Sequence, residues 1–187
     1  MIRNINIIKT KFFNMINNKN HIHFMNHALI EANNALTKGE FPVGCIIVYN
    51  NEIIATGSRE GTFNVNCHEI DHAEIVALRK LSEHCLSQID YRNITLYSTL
   101  EPCLMCFGAL LVNNISNIVY AYEDVFGGGT SINLNSMPQL YKNKKINIIS
   151  GVLREESIKL FKSFFTLKDN NYLKGTSLEC YTLKQKL

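Results

Sequence analysis

No stretch of this chain approaches the roughly 20 consecutive apolar residues that a membrane-spanning helix needs, so no membrane partner is expected. Linkers are missing as well. Three prolines and ten glycines are scattered with no Pro-, Gly- or Ser-rich run and no internal repeat. With 187 residues, 46% of them hydrophobic, that leaves one core to build. A secretory signal is absent: residues 1–20 carry Arg3, Lys9, Lys11 and Lys19, but Asn and Lys interrupt their apolar residues. The expectation is a loosely ordered N-terminal extension over 1–20 and a single domain over 21–187. Charge of one sign is scarce too. Nineteen Lys and Arg against 16 Asp and Glu give +3, short of the dense basic patches of dedicated nucleic-acid binders, though contact with RNA phosphates stays open. Six cysteines in a chain of this length are too sparse for a secreted disulfide scaffold. The cytoplasm, with reduced thiols, is the expected location.

What is present alternates in period. His23 to Lys38 has Met25, Ala28, Leu29, Ala32 and Leu36 at helical spacing. Val43 to Tyr49 is apolar and β-branched, Asn50-Asn51 signals a tight turn, and Glu52 to Gly57 reads as the partner strand. Helices follow over His72–Cys85, Cys103–Asn113 and Glu155–Leu167, and strands over Asn93–Ser98, Ile118–Tyr122 and Ile146–Ser150. Alternation of this kind predicts a sheet covered by helices, a layered α/β domain.

Two segments carry chemistry. His72-Ala73-Glu74 opens one expected helix, and Pro102-Cys103-Leu104-Met105-Cys106 opens another. A catalytic zinc takes three protein ligands and keeps a fourth position for water. His72, Cys103 and Cys106 supply three. Cys103 and Cys106 share one side of a first helical turn, where the positive end of the helix favours thiolate. Mixed sulfur and imidazole donors select zinc over harder cations. Glu74, two residues after the histidine, reaches the same place. Hydrolytic loss of an amino group requires a proton to leave water, a ring nitrogen to gain one, and ammonia to depart protonated. A single carboxylate beside the water performs all three transfers. Taken alone, Cys-x-x-Cys also fits a redox pair or half of a structural site. Neither alternative has a use for both His72 and Glu74.

His-x-Glu with Pro-Cys-x-x-Cys is the signature of zinc nucleobase deaminases. From Phe24 to Phe165 the chain resembles the cytidine deaminase superfamily, and within it the cytosine/adenosine deaminase branch that includes bacterial tRNA adenosine deaminases and guanine deaminases. Phe41-Pro42-Val43-Gly44, His72-Ala73-Glu74-Ile75 and Leu100 to Cys106 carry the likeness. It implies a three-layer α/β/α fold around a central five-stranded mixed sheet, and a homodimer or larger oligomer. It also implies zinc on His72, Cys103 and Cys106, with Glu74 as catalytic proton shuttle. Pro42 and Val43 would lie against the base, and the backbone around Leu100 to Pro102 would hold the amino group or the developing charge. Ala73, Pro102, Asn66 and Asp124 complete the expected substrate contacts. The reaction expected is ammonia release from a free base, nucleoside or nucleotide. The alternative is inosine formation at the wobble position of a tRNA, and a more distant one is a non-catalytic zinc module that binds nucleic acid.

The departures bear on substrate. Where relatives place an Asn after the second strand, this chain has Gly57-Ser58-Arg59-Glu60-Gly61, with Asn64 and Asn66 later. After Tyr122 it has Glu123, Asp124 and Phe126 with three glycines in place of basic residues. An acid and an aromatic weaken contact with an anionic backbone, and Phe126 is available either to stack on a base or to pack. His68 and Glu69 read as loop residues, Cys45 and Cys85 as core thiols, Cys180 as part of a tail, and Lys142, Lys144 and Lys145 as a solvated face.

Overall fold

The computed structural model describes residues 2–63, 67–83 and 89–187, with side chains from residue 19 onward. Asn64, Asn66 and Cys85 lie outside the described residues. The element order is α1 (Ile2–Thr37), β1 (Gly44–Tyr49), β2 (Glu52–Ser58), α2 (Ala73–Glu83), β3 (Thr95–Leu100), α3 (Leu104–Val112), β4 (Asn117–Tyr122), α4 (Gln139–Lys142), β5 (Asn147–Ile149), α5 (Arg154–Phe165) and α6 (Ser177–Lys184). One five-stranded mixed sheet runs in the order β2-β1-β3-β4-β5. The pairs β1–β2 and β1–β3 are antiparallel, and β3–β4 and β4–β5 are parallel. The β1–β2 turn is where the sequence puts it: Asn50 and Asn51 both have positive φ, 51° and 63°. Asn tolerates that region better than most residues, and paired positive φ values match the twist of a two-residue hairpin.

Strand periodicity divides the core into two layers. Ile46 and Val48 of β1, Tyr97 of β3, and Val119 and Ala121 of β4 face α1, whose Phe24, Met25 and Ala28 are buried against them. Cys45, Ile47, Leu96, Leu100, Ile118 and Tyr122 face the other way, onto Ala73, Ala77 and Leu81 of α2 and Phe107, Leu110 and Leu111 of α3. Phe161, Phe164 and Phe165 of α5 and Leu178 of α6 close that second layer. This is the expected three-layer architecture.

Two glycines set how close the helices sit. A Cβ on Gly44 would stand 2.1 Å from the Ala28 carbonyl oxygen of α1, and one on Gly57 would stand 2.1 Å from the Ala73 carbonyl oxygen of α2. Backbone therefore packs on backbone. The second contact matters most, because it presses the first turn of α2, which carries Glu74, against the sheet.

Among its helices and the ties between elements, the structure departs from the sequence reading in three places. Helix α1 begins at Ile2, upstream of His23, consistent with the absence of Pro and Gly from residues 2–20. Cys180 lies on α6, not in a tail. Thr176 caps that helix by accepting from the Glu179 N–H at 3.4 Å, while Glu179 accepts from Gly175 N, and a Thr-x-x-Glu capping pattern was visible in the sequence. Lys144 is a tie between elements, its Nζ donating to the Leu111 carbonyl at 2.6 Å and to Asn114. His21 donates to or accepts from the Tyr97 hydroxyl at 2.9 Å. Among the described residues no helix is long and apolar enough to cross a membrane.

Candidate active site

His72 stands immediately before α2, and its carbonyl accepts from Val76 N at 2.9 Å. Cys103 is the N-cap of α3 and Cys106 lies in that helix's first turn. The bend at β3's end that delivers Cys103 is fixed from outside. Gly129 N donates to the Pro102 carbonyl at 2.9 Å, and buried Glu101 accepts from Thr130 and from Asp124 N. The 124–130 loop is thereby stitched to the cysteine segment.

Cys103 Sγ lies 3.5 Å from His72 Nδ1. The ligand atoms of His72, Cys103 and Cys106 all fall within 4.8 Å of one another. Bond lengths of about 2.3 Å to sulfur and 2.0–2.1 Å to nitrogen place tetrahedral ligand atoms about 3.5 Å apart, so the donor set fits zinc in kind, number and spacing. Sharing of a hydrogen bond with Cys106 pulls the Cys103 thiol down to about 4, against its burial and with help from His72. Cys106 is pushed up by that same hydrogen bond, by burial and by Glu74. Burial depresses His72, but the neighbouring Cys103 outweighs it and the net direction is upward.

Glu74 is 3% exposed. Ser98 Oγ of β3 donates to its Oε1 at 3.0 Å, and Cys106 Sγ lies 3.5 Å from its Oε2. Burial raises its pKa, countered by hydrogen bonds to its own backbone and to Ser98. A carboxylate in this setting takes up a proton more readily than one in water, which suits a shuttle.

These groups open onto a cavity of about 270 Å³. Of the expected substrate contacts, Val43, Ala73 and Asp124 line it, together with Glu74. Pro42 and Pro102 are buried beside lining residues but do not line it themselves. Phe126 does, and at 57% exposure it is not a packing anchor. Asp124 Oδ1 accepts from Phe126 N and Gly127 N and so shapes that loop.

Sequence reasoning missed Arg59, Glu69 and Tyr172, all of which line the cavity. Glu69 Oε2 accepts from Arg59 Nη2 at 2.8 Å and from the Tyr172 hydroxyl at 3.0 Å, and lies 3.7 Å from His72 Nε2. The i, i+3 spacing of Glu69 and His72 was the one available signal.

Glu123, read from the sequence as an acid that weakens contact with an anionic backbone, is tied within the chain. Arg154 donates to it through Nε at 2.8 Å and through Nη2, and Tyr181 adds a bond at 2.7 Å. Partial burial works to raise this carboxyl, but Arg154 and Tyr181 hold it at about 2. A depressed folded pKa stabilises above the unfolded value of 4.5, and that contribution fades as pH falls from 4.5 toward 2. Since the pair is partly exposed, its worth is about 1 kcal/mol. Glu123→Gln is expected to lower the urea midpoint at pH 7, with the gap to wild type narrowing by pH 3. An unchanged gap would assign the loss to packing.

Residues 18–122 match the family described as the cytidine and deoxycytidylate deaminase zinc-binding region. Over 155 residues the chain is 35% identical to tRNA-specific adenosine deaminase 2 of Xenopus laevis, covering 79% of this chain and 87% of that one. Over 144 residues it is 34% identical to the tRNA-specific adenosine deaminase of Bacillus subtilis (strain 168), covering 76% and 86%. A solved structure from work on A-to-I editing by tRNA:A34 deaminases at the wobble position of transfer RNA is similar at a TM-score of 0.62 and 33% identity, covering 74% of this chain and 98% of that chain.

Proposed function

Since the chain belongs to the cytidine and deoxycytidylate deaminase family and is a zinc-dependent deaminase, we propose that it converts adenosine to inosine within a tRNA. The observation that carries this reading is similarity over most of both chains to proteins named as tRNA-specific adenosine deaminases. It is supported by a donor set that suits zinc and by a buried carboxylate beside it.

His72, Cys103 and Cys106 would hold the zinc, which when bound would supply the Lewis acidity that brings water's ionisation toward the neutral range. The remaining work belongs to the chain. Glu74 takes a proton from the attacking water, passes it to the ring nitrogen beside the reacting carbon, and assists the departing amine. The overall change is water in and ammonia out, with a carbonyl replacing the amino group. Ser98 keeps the carboxylate turned toward the cavity. Val43 and Ala73 provide apolar surface for a planar ring, and Phe126 at the rim offers a stacking face.

A second reading, deamination of a free base, nucleoside or nucleotide, is supported by the cavity's outer wall. Tyr172, Leu173 and Leu178 enclose it, and Glu69, Glu101 and Asp124 make it acidic, which disfavours phosphate. The same proposal includes a single zinc deaminase domain over 21–187 with 1–20 as an extension, supported by core clusters that run from Phe24 to Leu178 on one sheet. It includes a cytoplasmic location. It also includes a homodimer, supported by exposed Leu104, Met105 and Val112 on α3.

The deciding measurement offers zinc-loaded protein an adenosine-bearing anticodon stem-loop beside free cytosine, guanine, adenine and their nucleosides and nucleotides. Inosine in the stem-loop is the expected result. Ammonia released only from free compounds would sink the tRNA reading in favour of the second.

A further inference from the structure

Arg59 follows directly on β2, and its backbone N donates to the Val43 carbonyl at 2.9 Å. Its side chain thus enters the cavity wall beside a residue that lines it. The residue is 2% exposed. Nη2 is satisfied by the His68 carbonyl at 3.0 Å and by Glu69 Oε2 at 2.8 Å. Nε and Nη1 have no partner. Among the described residues they are the only buried side-chain nitrogen or oxygen atoms left so. A buried donor without an acceptor bears the full cost of its lost hydration. Native proteins rarely leave one unless something outside the chain completes it.

The kind of group required follows from what is already met. Glu69 offsets the positive charge of the guanidinium, and Tyr172 adds a hydroxyl on the same carboxylate. A phosphate entering here would face Glu69, Glu101 and Asp124 as well. Hydrogen bonds are lacking at Arg59, and charge is not. Neutral acceptors on a planar ring fit this, either ring nitrogens or carbonyl oxygens. Nε, Nη1 and Nη2 are coplanar around Cζ, and Nε and Nη1 direct their N–H bonds differently within that plane, so each needs its own acceptor.

Resting on the deaminase reading of this site, we propose that Arg59 is a specificity-determining residue that donates to acceptors on the ring of the base being hydrolysed. A base presenting C–H or an amino group at that point leaves the donors unpaired and is rejected. Tyr172 and Glu69 are positioning residues that hold the guanidinium flat against the wall.

The test uses full-length zinc-loaded protein and stem-loops bearing adenosine, 7-deazaadenosine or 3-deazaadenosine at the target position, each analogue replacing one ring nitrogen by C–H. For wild type, kcat/KM is expected to fall on the order of 10- to 100-fold with at least one analogue, mainly through KM. In Arg59→Met, zinc content and melting are checked first, and the preference for adenosine over that analogue should vanish. Wild type that accepts both analogues as well as adenosine overturns the proposal whatever the variant does. So does a variant that slows all substrates by one common factor, which would make Arg59 a brace for His68 and Glu69. If Arg59→Met does not fold, Arg59→Lys replaces it, and the wild-type series is decisive alone. Should no stem-loop be turned over, the tRNA reading fails, and the same atom deletions are made in whichever base or nucleoside releases ammonia, with the same two outcomes.

Discussion

Glu74→Gln is expected to lower turnover by about four orders of magnitude while leaving zinc content and fold intact. The amide keeps the volume and can still meet Ser98, but it neither accepts nor returns a proton. One carboxylate serves successive transfers here, so the loss belongs at the upper end of what a single acid–base group contributes. Stability should not suffer. Glu74 is buried and its charged form is disfavoured there, so a neutral side chain removes a desolvation cost. The check is ammonia release alongside zinc per chain and the melting temperature. Activity within tenfold of wild type would remove Glu74 from the reaction. A parallel loss of zinc would instead make it a support for the ligands.

The second large effect is at Cys106, which is fully buried and sits at the foot of α3. Cys106→Ala leaves two protein ligands, too few for a stable site. Zinc content should drop from one per chain to near zero and turnover should disappear with it. Binding of a ligand to the native state alone stabilises by about 4 kcal/mol at a thousandfold excess over its dissociation constant. Wild type should therefore melt at a zinc-dependent temperature and the variant at a zinc-independent one. Chelation of wild type should reproduce the variant, and added zinc should reverse it. A Cys106→Ala protein that retains stoichiometric zinc would mean that the ion is held by some other set.

The groups of the candidate site were legible because their signals are local. His72 with Glu74, and Cys103 with Cys106, are each separated by two or three positions at a helix start, where spacing fixes direction. The hairpin at Asn50-Asn51 was legible for the same reason, as a turn depends on its own residues. What surrounds the zinc site was not. Glu69 and Tyr172 meet across 103 positions of chain, and no periodicity encodes such a meeting. Glu123 shows the same limit in another form. Its charge could be read, but Arg154, 31 positions later, decides whether that charge faces solvent or a partner. Periodicity reveals which side of an element turns inward, and leaves open what it finds there.

The cavity draws its walls from stretches far apart in the chain. His72 through Cys106 lies within the family-matched span of 18–122, whereas Tyr172, Leu173 and Leu178 lie beyond it. The reactive groups sit in one stretch of the gene, whereas the wall that meets a substrate is shared between that stretch, which holds Arg59, and the later ones. Changes at Leu173 and Leu178 can therefore reshape the cavity while His72, Glu74, Cys103 and Cys106 stay as they are, and a library that pairs those positions with Arg59 samples both parts of the wall.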